Sequence, residues 1–433
     1  MAKLKDDYIE QLVDHFKKNE TSPQDYKLGI EFEHFLVDKD SLRAVHYYGN
    51  NGIASFLSQL VEKGWQVCKL GDDQKLIICL RKNNDEINLE PGGQIEFSFG
   101  PKDSINQIEE VYNNLIEDME PILRKNNYNL ITLGYQPVTK IKELELLPKK
   151  RYKLMFDYFK TQGKLAHNMM LGTASTQVSL DYSSEKDFSK KFAVASWLSP
   201  IIYAVLDNTP IFEGKRISEY AIRSKIWNNC DIDRCGILDK SIEGNFTYKD
   251  YARYILKLPA IVDPEANNEK PSGLRFREAF TKDKFTAEDI ELMLSFSFTD
   301  VRLKEYLEIR MADSLPLPLA LGYLAFLQGI FYDQSNLDYL FKQVQKTSTT
   351  EVKNALSNIK DKGCKNLYTD NIMMIDWFNL LVEKSRQGLA REDQKYLLYL
   401  KNFLKAYLPP RAAASKTGNL KDDLDYSLIF SWE

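Results

Sequence analysis

Apolar and polar residues alternate over Gly29-Ile-Glu-Phe-Glu33, so Ile30 and Phe32 point one way while Glu31 and Glu33 point the other. This period of two predicts a strand with one face in a core. The device recurs downstream. Residues 86–99 predict a strand, a kink at Pro91-Gly92-Gly93 and a second strand, with Gln94, Glu96 and Ser98 opposite Ile95, Phe97 and Phe99. Residues 302–311 read as one strand in which Tyr306, Glu308 and Arg310 share a face opposite Leu307, Ile309 and Met311. Gln177, Ser179 and Asp181 alternate in the same way with Val178, Leu180 and Tyr182 over 173–182. Residues 130–136, and two short pieces within 65–80 around Gly71-Asp72-Asp73, complete the expected strands.

A helical period marks 4–18, with Leu4, Tyr8, Leu12, Val13 and Phe16 on one stripe and Ser22-Pro23 as its stop. A turn at Tyr48-Gly49-Asn50-Asn51-Gly52 leads to a short helix over 53–63. Helix 104–124 places Ile105, Ile108, Tyr112, Leu115, Met119 and Ile122 on a core stripe, and another helix runs from Pro148-Lys-Lys-Arg-Tyr152 to Phe159. Ser184 caps a helix to about Ser199, where Pro200 is expected to interrupt it. The polar, aromatic stretch 207–236, holding Arg223, Trp227, Asp231, Asp233 and Arg234, reads as a binding loop, and 262–273 as another loop. Helices follow near 317–330, 334–346, 350–361, 370–387 and 391–407, and the aperiodic tail 409–433 is expected to be partly extended or mobile. With no repeat or linker, the expectation is one domain over 1–433, mostly helical from about 316.

Composition narrows the class. The net charge of −4, from 58 basic and 62 acidic side chains in 433 residues, leaves no electrostatic footprint for nucleic acid or an anionic membrane. The chain has no apolar run near the roughly 20 residues of a membrane span and no hydrophobic leader core at its start, which predicts a cytoplasmic protein. Five cysteines do not make a disulfide framework, so reduced thiols are expected. Cys230-x4-Cys235 lacks the second ligand pair that zinc requires. The four histidines are scattered and receive no role; strand alternation turns His34 to the face opposite Glu33.

The candidate chemistry lies in the acids. Two carboxylates about 4 Å apart at an effective dielectric of about 20 repel by roughly 4 kcal/mol, so clustering them calls for a cation. Any one pair taken alone is more often the mark of a solvated strand face, but three such strands favour a Mg²⁺ or Mn²⁺ site. Arg310 beside Glu308 supplies a permanent charge suited to a phosphoryl group. Motifs for a P-loop, a dinucleotide turn, a zinc protease helix and a nucleophile elbow are absent.

Gly29-Ile-Glu-Phe-Glu33, Leu89-Glu-Pro-Gly-Gly-Gln-Ile-Glu96, Leu133-Gly-Tyr-Gln-Pro137, Pro148-Lys-Lys-Arg-Tyr152, Met169-Met170 leading to Gln177-Val-Ser-Leu-Asp181, Arg223 with Ile226-Trp227, and Asp300 to Arg310 occur in this order. Together, across roughly 25–330, they resemble glutamate–cysteine ligase of the plant and proteobacterial type, of the glutamine-synthetase-like carboxylate–amine ligase superfamily. The resemblance implies an α+β fold, a curved and largely antiparallel sheet forming a funnel with helices outside. It also implies that ATP phosphorylates the γ-carboxylate of L-glutamate and that the amine of L-cysteine then attacks, giving γ-glutamylcysteine for glutathione-type thiol synthesis. On matching positions, Glu31, Glu33, Glu90, Glu96 and Glu308 would bind Mg²⁺ or Mn²⁺, Glu308 and Arg310 would serve catalysis, and Arg310, Lys149 and Arg151 would face ATP. Arg223 and Trp227 would bind substrate, Arg223 through a carboxylate. The runner-up is a related ligase with another amine acceptor, since one small group is worth only about 1–3 kcal/mol in a pocket. A decayed fold kept as a binding module is disfavoured, because decay would first erase the costly acids.

Overall fold

The computed structural model describes residues 2–72, 74–266, 268–404, 409–414 and 416–429. The side chain of Leu4, Asp73 in its turn, positions 405–407 of the last predicted helix and 430–433 of the tail lie outside this description. The frame is an open nine-stranded sheet whose pairs are all antiparallel. At its centre is β1 (Leu28–Asp38), long enough to serve three partners. Its first half pairs with β7 (Thr176–Leu180), its middle with β5 (Ile95–Ser98) and its last four residues with β6 (Tyr128–Ile131). Beyond β5 lie β4 (Asp85–Leu89), β3 (Ile77–Lys82) and the edge strand β2 (Gln66–Leu70).

Alternation along β1 decides what each face does. Ile30, Phe32 and Leu36 enter the main core, where Phe32 meets Tyr112 of α3 (Ile105–Asn126) edge to face. His34 is buried on that same side, its Nε2 3.0 Å from the Tyr112 hydroxyl, as alternation requires. All six stripe residues of α3 are buried, and Ser104 caps the helix by accepting from the Gln107 amide. The opposite face carries Glu31 and Glu33 and then turns apolar, with Phe35 and Val37 joining a second cluster that includes Ile131, Leu133 and Leu424.

Five expectations before the C-terminal helices and the tail are corrected. Strand β6 is shorter and earlier than 130–136, because beyond Ile131 the chain leaves the sheet and bonds irregularly to Asn208 and Gly172. Residues 302–311 are a hairpin of Val301–Leu303 and Leu307–Ile309, closed by Lys304 N donating to Tyr306 O, so Arg302 lies opposite Glu308. Helix α6 (Glu185–Val205) runs through Pro200; every residue from Lys191 to Val205 is buried, and packing on all sides offsets the missing amide. The stretch 207–236 is not an open loop. It contains α7 (Ile222–Asn228), and Arg223, Trp227, Asp231 and Arg234 are buried, Arg234 held by Asp231 at 2.6 Å and by the Phe296 and Pro259 carbonyls. Cys68 and Cys79, expected as thiols, are bridged, because the β2–β3 hairpin brings their Cα atoms to 5.4 Å. Cys230 and Cys235 remain thiols.

The helices Leu317–Phe331, Gln334–Val344 and Thr349–Lys362 agree with the predicted periodicity, while Met374–Gly388 and Leu397–Leu404 begin later than expected, each after a 3-10 turn, at Thr369–Asn371 and Asp393–Lys395. The described part of the tail is docked rather than mobile. Leu420, Leu424 and Leu428 pack into the second cluster, and the Tyr426 hydroxyl donates to Asn208. The tail covers the end of a sheet face, a task that imposes no period on its sequence. Among the described residues no helix is long and apolar enough to cross a membrane.

Candidate active site

The sheet register brings four of the five predicted glutamates to one face. Glu33 is opposite Glu96 on β5, Glu31 is opposite Gln177 on β7, and Glu308 is opposite Ser179 on the far side of β7. Glu90 follows β4 directly and is set by the Pro91-Gly92-Gly93 turn. Gly93 N donates to Glu90 O at 2.8 Å with Gly93 at φ +85°, and a Cβ on Gly92 would collide with the Leu171 backbone of α5 (Ala166–Gly172).

Their surroundings differ. The Glu33 carboxylate accepts from Ser175 N (2.8 Å), Ser175 Oγ (3.0 Å) and Gln177 Nε2 (2.7 Å). Glu96 accepts from Ser98 Oγ, and no hydrogen bond among the described residues reaches the Glu31 or Glu90 carboxylate. Burial, then the charges of Glu96 and Glu308, pushes Glu31 up to about 8. Burial, then Glu90 and Glu33, lifts Glu96 to about 8, and burial with Glu33 lifts Glu90 to about 7. Glu33 is raised by burial as well.

Glu308 behaves in the opposite way. Burial alone would raise it, but Arg302, Arg310 and Lys304 hold it well below the usual carboxylate range. Arg302 Nη2 donates to Glu308 Oε1 at 2.9 Å while its Nε lies 2.7 Å from Oε2, out of hydrogen-bond alignment. Arg310 Nη1 donates to Glu308 Oε2 at 2.6 Å and also to Gln177 Oε1. A continuous network therefore runs Glu33–Gln177–Arg310–Glu308–Arg302. Among the described residues, no three of the five glutamates bring carboxylate oxygens within 4.8 Å of one another. The acids form a row, with Glu308 drawn to its arginines.

Arg223 and Trp227, one helical turn apart on α7, face the same cleft as Glu33, Glu90 and Arg310. The Trp227 ring has the Arg223 and Arg310 guanidiniums at 5.6 and 5.9 Å. Arg223 donates from Nη1 to Met311 O at 3.1 Å, whereas its buried Nε and the buried Trp227 Nε1 have no partner. Met155, Met169, Met170 and Phe298 form the cleft's apolar wall. A second cavity opens at the Glu31 end beside Ser98, Ser179 and Tyr306, so the row of acids stands between two hollows.

The two nucleotide-side candidates both stand behind the residues that line the cleft. Lys149 borders Glu90 and Glu96, its Nζ donating to Leu89 O at 2.9 Å and Tyr152 Oη at 3.1 Å. Arg151 also feels the charge of Glu90; it donates to Ser295 Oγ at 2.8 Å and stacks on Phe296 at 4.2 Å. Arg302 and Gln177 were missed as site residues. Gln177 was placed on the correct polar face, and its signal was its position opposite Glu31; Arg302 becomes visible only when 302–311 is read as a hairpin.

An antiparallel sheet thus presents on one face a row of carboxylates with arginines beside it. The family model for glutamate–cysteine ligase family 2 matches residues 27–394, and the chain belongs to that family. It is a ligase of the glutamate–cysteine type. The chloroplastic glutamate–cysteine ligase of Nicotiana tabacum is 30% identical over 396 residues, covering 89% of this chain and 74% of that one. The chloroplastic glutamate–cysteine ligase A of Oryza sativa subsp. indica is 29% identical over 407 residues, covering 92% and 80%. The crystal structure of a glutamate–cysteine ligase from Francisella tularensis in complex with AMP superposes with a TM-score of 0.56 at 13% identity, over 93% of this chain and 87% of that one, a likeness of fold.

Proposed function

We propose that the whole chain acts as one catalytic unit that joins the γ-carboxylate of L-glutamate to the amine of L-cysteine at the expense of ATP, giving γ-glutamylcysteine, ADP and phosphate. The observation that carries this reading is the row of acids, half-buried at Glu31, Glu90 and Glu96 and raised above the usual carboxylate range, set against Arg223 and Arg310 in one cleft. Hard, mutually repelling oxygens of this kind fit Mg²⁺ or Mn²⁺. Glu31 and Glu90 fit best, with Glu96 next, because Glu33 and Glu308 already share their carboxylates with several protein donors while Glu96 accepts from Ser98 Oγ alone. When bound, the cation would offset the negative charge of the triphosphate as it approaches a carboxylate.

The chain's own groups do the rest. Arg223, with a donor left unpaired and Trp227 against its face, holds a carboxylate of L-glutamate. Arg310, fixed by Gln177 and Glu308 through one nitrogen, keeps the remainder of its planar fork for phosphate oxygens, with Lys149 behind the acids on the nucleotide side. An oxygen of the γ-carboxylate bonds to the terminal phosphorus of ATP as the bond to ADP breaks. The amine of cysteine then bonds to the acyl carbon, phosphate leaves with the electron pair, and the nitrogen gives up a proton. No enzyme nucleophile is needed, in keeping with a cleft that contains no Ser–His or Cys–His pair among the described residues.

ADP release with L-glutamate and a panel of amines tests the acceptor. Cysteine is expected to give the highest kcat/KM, and equal turnover with alanine or a polyamine would overturn this part of the reading. The cytoplasmic setting read from composition belongs to the proposal too, and cell fractionation tests it against the plastid location in the plant relatives' names.

A further inference from the structure

We infer that Arg411, in the tail beyond the residues matched by the family model, is a positioning residue that sets Arg223 through Asp207 and Ala221 and so tunes affinity for the substrate carboxylate. This rests on the assignment of Arg223 above. Ala221 stands immediately before α7 with φ +50°, a left-handed conformation that a residue with a Cβ keeps only when its surroundings hold it. What holds it is Asp207: Ala221 N donates to Asp207 Oδ2 at 2.8 Å, and Thr209 N donates to Oδ1 at 3.1 Å. Arg411 in turn grips the same Oδ2 with Nη1 at 3.1 Å.

One guanidinium ties both ends of the segment that leads into α7. Besides Asp207, Arg411 donates to the carbonyls of Glu219 and Ile217, each at 2.6 Å, and lies 5.1 Å from the Tyr220 ring. Its backbone N–H also donates to Asp207 O at 3.0 Å. A second buried acid, Asp313, accepts from Asn208 N at 2.7 Å and from Thr209 Oγ1 at 2.8 Å on the same segment. Two buried carboxylates, Asp207 and Asp313, are thus divided between two arginines, Arg411 and Arg223. Without Arg411, Asp207 loses its ion-pair partner, the tether of Ala221 loosens, and the start of α7, which carries Arg223, is no longer fixed against the cleft.

The test is steady-state kinetics on the full chain, with KM for L-glutamate, L-cysteine and ATP measured separately. For Arg411→Ala, KM for L-glutamate is expected to rise about tenfold to a hundredfold, with KM for ATP little changed, and millimolar guanidinium should restore it. Arg411→Lys, which keeps the charge but not the fork, should fall between. The double variant Asp207→Asn/Arg411→Gln leaves no unpaired buried charge and carries the same expectation should Arg411→Ala fail to fold. A merely structural role would lower the active fraction and leave every KM unchanged, and that outcome overturns the inference. Arg223→Lys is measured in parallel. If it raises KM for L-glutamate while the Arg411 variants do not, the inference alone falls; if Arg223→Lys leaves that KM unchanged, the Arg223 assignment falls and the inference with it.

Discussion

Arg310 shows how one side chain can belong to a structure and to a reaction. Its contacts to Glu308 and Gln177 could be read as a structural ion pair, yet they engage a single nitrogen and leave the rest of the fork beside the cleft. Arg310→Lys keeps the charge and loses the planar fork, so turnover should drop about 10²–10³-fold in a steady-state assay with L-glutamate affinity little changed. Near-normal turnover would reduce Arg310 to the partner of Glu308. The acids themselves were legible in the sequence, because alternation on a half-buried strand places Glu31 and Glu33 on one face without knowledge of anything distant. What neighbours do to an acid was not: Glu31 rises toward 8 while Glu308 is held low by Arg302, Arg310 and Lys304, the first of them across a hairpin that periodicity merges into one strand.

At the scale of elements, the strands and amphipathic helices with strong periods emerged where the pattern placed them, α3 with its full stripe and β1 with its two-faced alternation. The misreadings share a physical origin. Pro200 and the 207–236 stretch look like breaks locally, but dense packing on every side of α6 and around α7 overrides the local preference. The Pro91-Gly92-Gly93 turn is the converse case, a local signal that tertiary contact makes strict. Gly92→Ala would push a methyl into the Leu171 backbone and displace Glu90, so we expect about 1–3 kcal/mol of lost stability in denaturant unfolding, together with weaker Mg²⁺ binding by calorimetry. A variant as stable and as metal-competent as the parent would show that the turn relaxes freely.

For the molecule as a whole, the row of acids couples cation binding to stability. Glu31, Glu90 and Glu96 are raised from 4.5 toward 7 to 8, so without a divalent cation the folded chain holds more protons than the unfolded chain across that window. Their contribution therefore becomes less favourable as pH rises through 7 to 8. A cation that displaces those protons should raise Tm more at pH 8 than at pH 6 in a thermal melt, and equal gains would place the metal elsewhere. The tail, which has no period to read, packs onto the end of the same sheet face, where Leu424 meets Phe35 and Val37 in one cluster. The most direct test of the central claim is mass spectrometry of a single reaction begun with L-glutamate carrying ¹⁸O in its γ-carboxylate, together with ATP, Mg²⁺ and L-cysteine. The account predicts γ-glutamylcysteine with one ¹⁸O delivered to inorganic phosphate for each dipeptide formed. Label found in AMP, or dipeptide formed with unlabelled phosphate, would contradict it.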